Sequence, residues 1–159
     1  MLRKLTLSTA VSALAVLAMA GTAQAQDWSL NPTYGTISLN GGFTPDPYYV
    51  SLQSGGSINA AGLGGNCRGY IANAPDVRLN FRSGSLPLVI SVDSGADTTL
   101  VINAPDGRWY CDDDSGSGLN PSINFGNSPM SGQYDIYVGT YGNASLQNAT
   151  LAISELSSY

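Results

Sequence analysis

Val77, Leu79 and Phe81 alternate with Arg78, Asn80 and Arg82. A period of two puts apolar side chains on one face of an extended chain and polar ones on the other. The alternation returns at Leu86 to Asp93 (Leu88, Ile90, Val92), Thr98 to Asn103 (Leu100, Ile102), Gln133 to Tyr141 (Tyr134, Ile136, Val138) and Ala149 to Glu155 (Leu151, Ile153). Gly35 to Asn40 and Pro47 to Gln53 read as further strands. Asn40-Gly41-Gly42, Ser54-Gly55-Gly56, Pro105-Asp106-Gly107, Ser131-Gly132 and Gly142-Asn143 supply the reversals between them. No stretch after residue 26 sustains a helical period. Many short strands with frequent turns predict an all-β fold, an antiparallel β-sandwich of jelly-roll or immunoglobulin-like type. Strands run throughout without a linker or a shift in composition, which predicts a single domain over 26–159.

Two stretches break the alternation. Ser54 to Gly65, SGGSINAAGLGG, reads as a flexible loop, with an ordered crossover between sheets as the alternative. Asp112 to Ser122 is the other, and it places three aspartates directly after a cysteine.

The N-terminus changes the picture of where such a chain works. Arg3 and Lys4 precede an apolar run from about Leu5 to Ala20, then Ala23-Gln24-Ala25 before Gln26. This is the pattern of a secretory signal peptide over residues 1–25. Ser8, Thr9 and Ser12 interrupt the run, which falls short of the ~20 apolar residues of a membrane span. With no second apolar run and no cysteine at the cleavage site, the sequence predicts a periplasmic or secreted product with no membrane insertion. Cleavage leaves Arg68, Arg78, Arg82 and Arg108 against eleven acidic residues, a net charge of −7. Such a surface repels phosphate backbones, so nucleic acid is not an expected partner. In an oxidising compartment Cys67 and Cys111 are expected to pair. The bridge would close a loop of about 45 residues and stabilise by roughly 4 kcal/mol in the chain-entropy description.

Missing residue types narrow the chemistry further. The chain has no histidine, and its only lysine lies in the leader. Imidazole-activated nucleophiles, His-ligated zinc, Schiff bases and P-loop lysines are therefore excluded from residues 26–159. Carboxylate chemistry remains, chiefly glycoside hydrolysis by a pair of acids.

Asp112, Asp113 and Asp114 repel one another unless water or a cation surrounds them. In an extended backbone Asp112 and Asp114 share a face, and Asp97 comes near them if ADTTLVINAPDGRWYCDDD forms a hairpin. A calcium ion takes six to eight oxygens and suits loops rich in Asp, Asn, Ser and Gly. The EF-hand pattern does not fit, because counting from Asp112 the sixth place is Ser117 and the twelfth is Ile123. Two readings stand: a structural calcium (Ca2+) held by Asp97, Asp112, Asp113 and Asp114, or a solvated acidic turn that keeps a sheet edge soluble. Trp28 and Trp109 read as packing residues rather than ligand platforms. Tyr134, Tyr137 and Tyr141 are expected to divide between core and surface. Asn143-Ala144-Ser145 and Asn148-Ala149-Thr150 match the glycosylation pattern, which is without meaning in a bacterial source.

From Leu86 onward, an apolar strand, Asp97 ahead of Leu100, Pro105-Asp106-Gly107, the acidic turn, and Ser131-Gly132-Gln133-Tyr134 opening a strand through Ile136 and Val138 follow in order. This succession resembles the bacterial pre-peptidase C-terminal domain, a small β-sandwich appended to secreted proteases. The resemblance implies an accessory, non-catalytic module for secretion, stability or surface binding, with calcium in some members. The sequence read here carries no peptidase beside it. Its expected function is that of an exported non-enzymatic binding module facing a protein or glycan surface. A carboxylate-dependent glycan hydrolase and a purely structural envelope protein are the alternatives.

Overall fold

The computed structural model describes residues 26–159; the signal peptide read over residues 1–25 lies outside them. Eleven strands form two sheets. In chain order they are β1 (Thr36–Asn40), β2 (Tyr48–Ser54), β3 (Ile58–Asn59), β4 (Tyr70–Ile71), β5 (Val77–Arg82), β6 (Val89–Ser94), β7 (Thr98–Asn103), β8 (Trp109–Asp112), β9 (Ser122–Asn124), β10 (Gly132–Thr140) and β11 (Gln147–Ser154). The smaller sheet runs β2-β11-β6-β9. In the larger sheet, β7 lies along one edge of β10, while β5 and then β4 share the other edge end to end. β1 extends that sheet beyond β5, and β8 extends it beyond β7.

The sandwich is not wholly antiparallel: β1 pairs with β5 in parallel register, Thr36 opposite Arg78 and Asn40 opposite Arg82. The chain leaves β1, crosses to β2 in the other sheet, and returns through β3 and β4 before β5. A crossover of that length is what parallel pairing requires and a hairpin cannot supply.

The alternating residues recognised in the sequence fill the space between the sheets. Val77, Leu79 and Phe81 face Ile90, Val92, Leu151 and Ile153 across a core completed by Leu100, Ile102, Tyr134, Ile136 and Val138. A second cluster lies on the outer face of the larger sheet, where Val101 and Tyr137 are covered by Ile58, Ala60, Cys67 and Ile71. The segment read as a flexible loop is therefore ordered. It forms β3 and a one-turn 3-10 helix, Ala60–Leu63, whose amide at Ala61 is capped by the Asn59 side chain. Ile58 and Ala60 give it an apolar underside, and Gly56 lets its backbone lie against Ile71, where a Cβ would collide with the main chain. This cover also decides how the tyrosines divide between core and surface. Tyr134 and Tyr137 point to opposite faces of β10 yet both are buried, and Tyr141 beyond the strand is exposed.

Candidate functional site

The hairpin expected around the acidic residues forms. β7 and β8 pair with Leu100 opposite Asp112, and the reversal is closed by Ala104 N–H to Arg108 O (3.0 Å) and Gly107 N–H to Ala104 O (2.8 Å). Cys111 on β8 is bonded to Cys67, with the Cα atoms 4.9 Å apart, so the bridge ties the outer cover to the sheet beneath it.

The extended path assumed for the aspartates ends at Asp112. Its Oδ2 accepts from Ser115 N–H (2.9 Å) and Ser122 N–H (2.9 Å), and its Oδ1 accepts from the Ser115 hydroxyl (2.6 Å). Asp112 thus holds both ends of the crossing from β8 to β9, as short polar side chains do in turns. Asn120 locks the same crossing, accepting from the Thr98 hydroxyl (2.7 Å) and donating to Ser94 O (2.9 Å). Asp113 lies 3.6 Å from Arg68 Nε. Asp97, ahead of β7, has its carboxyl held above the usual carboxylate range, first by burial and then by the like charges of Asp114 and Asp113. Its Oδ1 is covered and has no hydrogen-bond partner.

The structure brings Asp97, Asp113 and Asp114 within electrostatic reach and turns Asp112 away from them into the loop. Among the described residues no three His, Cys, Asp or Glu side chains gather as a metal-binding group. With Asp112 committed to three hydrogen bonds and Asp113 facing an arginine, the residues of this turn do not fit a calcium shell.

A different cleft, which the sequence reading missed, lies at the opposite end of the β7–β8 hairpin. It has a volume of about 470 Å3 and is lined by Trp28, Asn103, Pro105, Ser131, Gln133 and Asp135, among others. Trp28 is 52% exposed and is not the packing residue expected; the packing role belongs to Trp109, which rests against Tyr137 at a centroid distance of 5.8 Å. The Trp28 main chain is nonetheless fixed. Arg78 Nη2 donates to Trp28 O (2.5 Å) and Leu30 O (3.1 Å), while the Asp27 carboxylate accepts from Ser29 N–H (3.0 Å) and its hydroxyl (2.5 Å). Arg78 Nε in turn donates to Asp135 Oδ1 (2.7 Å), and Gln133 Nε2 donates to Asp135 Oδ2 (2.7 Å). Asp135 is 2% exposed, so one buried ion pair couples the tryptophan turn to the amide beside it. The signal in the sequence was Arg78, a charge in the middle of the best-formed strand; only pairing of β5 with β10 shows that its partner is Asp135.

A second cleft, about 480 Å3, runs beside the disulfide between Gly64-Gly65-Asn66 and Arg108, Trp109 and Tyr110. Among the described residues, neither of these two clefts is lined by two carboxylates.

No protein-family pattern and no curated protein matches the chain. Among solved structures, it is similar to the pre-peptidase C-terminal domain of collagenase from Bacillus anthracis, at 16% identity and a TM-score of 0.44, over 79% of this chain and 100% of that one.

Proposed function

We propose that this chain is an exported, non-catalytic β-sandwich module that recognises a glycan surface through the Trp28 cleft. The observation that carries the reading is the half-exposed Trp28 ring standing on a main chain clamped by the Arg78–Asp135 pair. An aromatic ring that stays wet while its backbone is fixed offers a pre-formed flat face, so little ordering entropy is lost on binding. Sugar rings present one apolar C–H face and a rim of hydroxyls. Trp28 suits the face, and the side-chain amides of Asn103 and Gln133 suit the rim, each able to donate and to accept. The volume lies within the range of small-ligand clefts. The −7 charge of residues 26–159 favours a neutral glycan over an anionic one.

Two observations support the remaining parts of the reading. The Cys67–Cys111 bridge agrees with an oxidising compartment outside the cytoplasm, periplasmic or extracellular. Glycoside hydrolysis needs two carboxylates facing one bond across a cleft. Asp135 is the one carboxylate at the Trp28 cleft, and both of its oxygens are held by Arg78 and Gln133.

Calorimetric titration with cellohexaose and with hexa-N-acetylchitohexaose, with tryptophan emission of the wild type as a second readout, tests this. Binding should quench or shift the emission in wild type and weaken at least tenfold in Trp28→Ala, with an unchanged melting temperature. Equal binding by wild type and Trp28→Ala refutes the site. No binding of either sugar, together with none to insoluble cell-wall polysaccharide, leaves the structural envelope role in its place.

A further inference from the structure

We infer that the glycan site is a track with two aromatic platforms, in which Trp109 takes rings of the same chain that Trp28 binds, so that the module fits an extended, uncharged polysaccharide. The inference rests on the Trp28 reading above and extends it. Arg78 lies opposite Asp135, Asp135 opposite Asn103, and Asn103 opposite Trp109. Residues opposite one another in a sheet share a face, so these four form one row across β5, β10, β7 and β8 on the outer face of the larger sheet. At one end of the row Arg78 holds the Trp28 carbonyl, and Asp135 and Asn103 line the first cleft together with the Trp28 ring. At the other end Trp109 lines the second cleft with Gly65 and Asn66. Neighbouring strands lie about 4.8 Å apart, which puts the end of the row at Trp109 roughly 14 Å from Arg78.

The two clefts meet at the Asn103–Trp109 pair. Ala104 N–H donates to Arg108 O (3.0 Å), which makes Asn103 and Trp109 the next, non-hydrogen-bonded pair of the hairpin, the kind whose side chains approach most closely. Asn103 gives one amide proton to Gly107 O (3.3 Å), which fixes the side chain at the junction while its oxygen can still accept. Trp109 is partly covered: its ring rests on Tyr137, and the Cys67–Cys111 bridge holds Gly64-Gly65-Asn66 as the facing wall of the cleft. A ring fixed in this way loses little freedom when a ligand meets it. Neither cleft selects an ion, because Arg78 is taken up by Asp135 at 2.7 Å and Arg108 faces Asp106 at 3.7 Å. Aromatic, amide and aromatic in succession, without net charge, match a chain of sugar rings that repeats an apolar face and a hydroxyl rim along its length.

Calorimetric titration of wild type, Trp28→Ala, Trp109→Leu and Asn66→Ala tests the track, with cellobiose beside cellohexaose and di-N-acetylchitobiose beside hexa-N-acetylchitohexaose. Leucine keeps an apolar body over Tyr137 and removes the flat face, and Asn66 is exposed, so its truncation leaves the core untouched. The hexasaccharide of the series that binds should lose about tenfold in affinity in Trp109→Leu, and a smaller factor in Asn66→Ala. The disaccharide, which the Trp28 cleft holds, should bind both variants as it binds wild type, and this together with an unchanged melting temperature of Asn66→Ala shows that the sheet is intact. A hexasaccharide also offers a single platform several registers, so the length effect is read from the variants and not from the ratio of the two sugars in wild type. Hexasaccharide binding that Trp28→Ala weakens and that Trp109→Leu and Asn66→Ala both leave unchanged overturns the track and leaves the Trp28 site standing. Binding indifferent to Trp28→Ala, or absent in both series, removes the Trp28 site and the track with it.

Discussion

Asp76 is the place where burial and hydrogen bonding oppose each other most directly. It is 3% exposed, at the point where the β10 edge passes from β5 to β4. Val138 N–H has no strand partner there and donates instead to Asp76 Oδ2 (2.7 Å), while Asp76 N–H donates to Ile136 O (2.8 Å). Burial raises the carboxyl from 3.8 to about 7, and the Val138 hydrogen bond, which favours the anion, offsets only part of that. Between those two pH values the folded chain holds a proton that the unfolded chain has lost. Stability from this group is therefore complete below about pH 4 and declines as pH rises to about 7. Three pH units at about 1.36 kcal/mol each amount to about 4 kcal/mol. Asp76→Asn keeps an acceptor for Val138 and removes the titration. Urea unfolding of wild type and variant at intervals from pH 4 to pH 8 should give a free-energy difference that grows by several kcal/mol in favour of the variant as pH rises. Asp27 and Asp106, whose carboxyls are held below the usual range by hydrogen bonds from Ser29 and from Arg108, act in the opposite sense at acid pH and cancel in the difference. A difference that stays within about 1 kcal/mol across the range would mean that water reaches Asp76, and the burial argument would fail.

Two other perturbations test the elements that position the clefts. Replacing both Cys67 and Cys111 with alanine should cost about 2 to 4 kcal/mol in urea unfolding; limited proteolysis should then cut first at Gly64-Gly65, because the outer cover is no longer tied to β8. Arg78→Ala should cost about 3 to 5 kcal/mol by leaving buried Asp135 unpaired, and Trp28 emission should shift toward that of free solvent as its turn is released.

The sequence by itself determined the strands that build the inter-sheet core, because a half-buried strand writes its period into every second residue. Val77–Arg82 and Thr98–Asn103 were legible to the residue, and the β7–β8 hairpin followed from Pro105-Asp106-Gly107. Cys67 and Cys111, two thiols in an oxidising context, had each other as partners. Short strands with little period, β3, β4 and β9, were not legible, since two or three residues carry no alternation.

Only the tertiary structure decided which polar groups meet. That Asp112 caps its own turn, that Arg78 reaches both Asp135 and the Trp28 carbonyl, and that Glu155 faces Gly42 depend on pairings between residues up to 113 positions apart. Local propensity cannot encode such separations. The Gly-rich cover misled for the same reason: its composition is that of a loop, and its order comes from Ile58 and Ala60 finding Val101 and Tyr137 on a face that the strand period alone assigned to water.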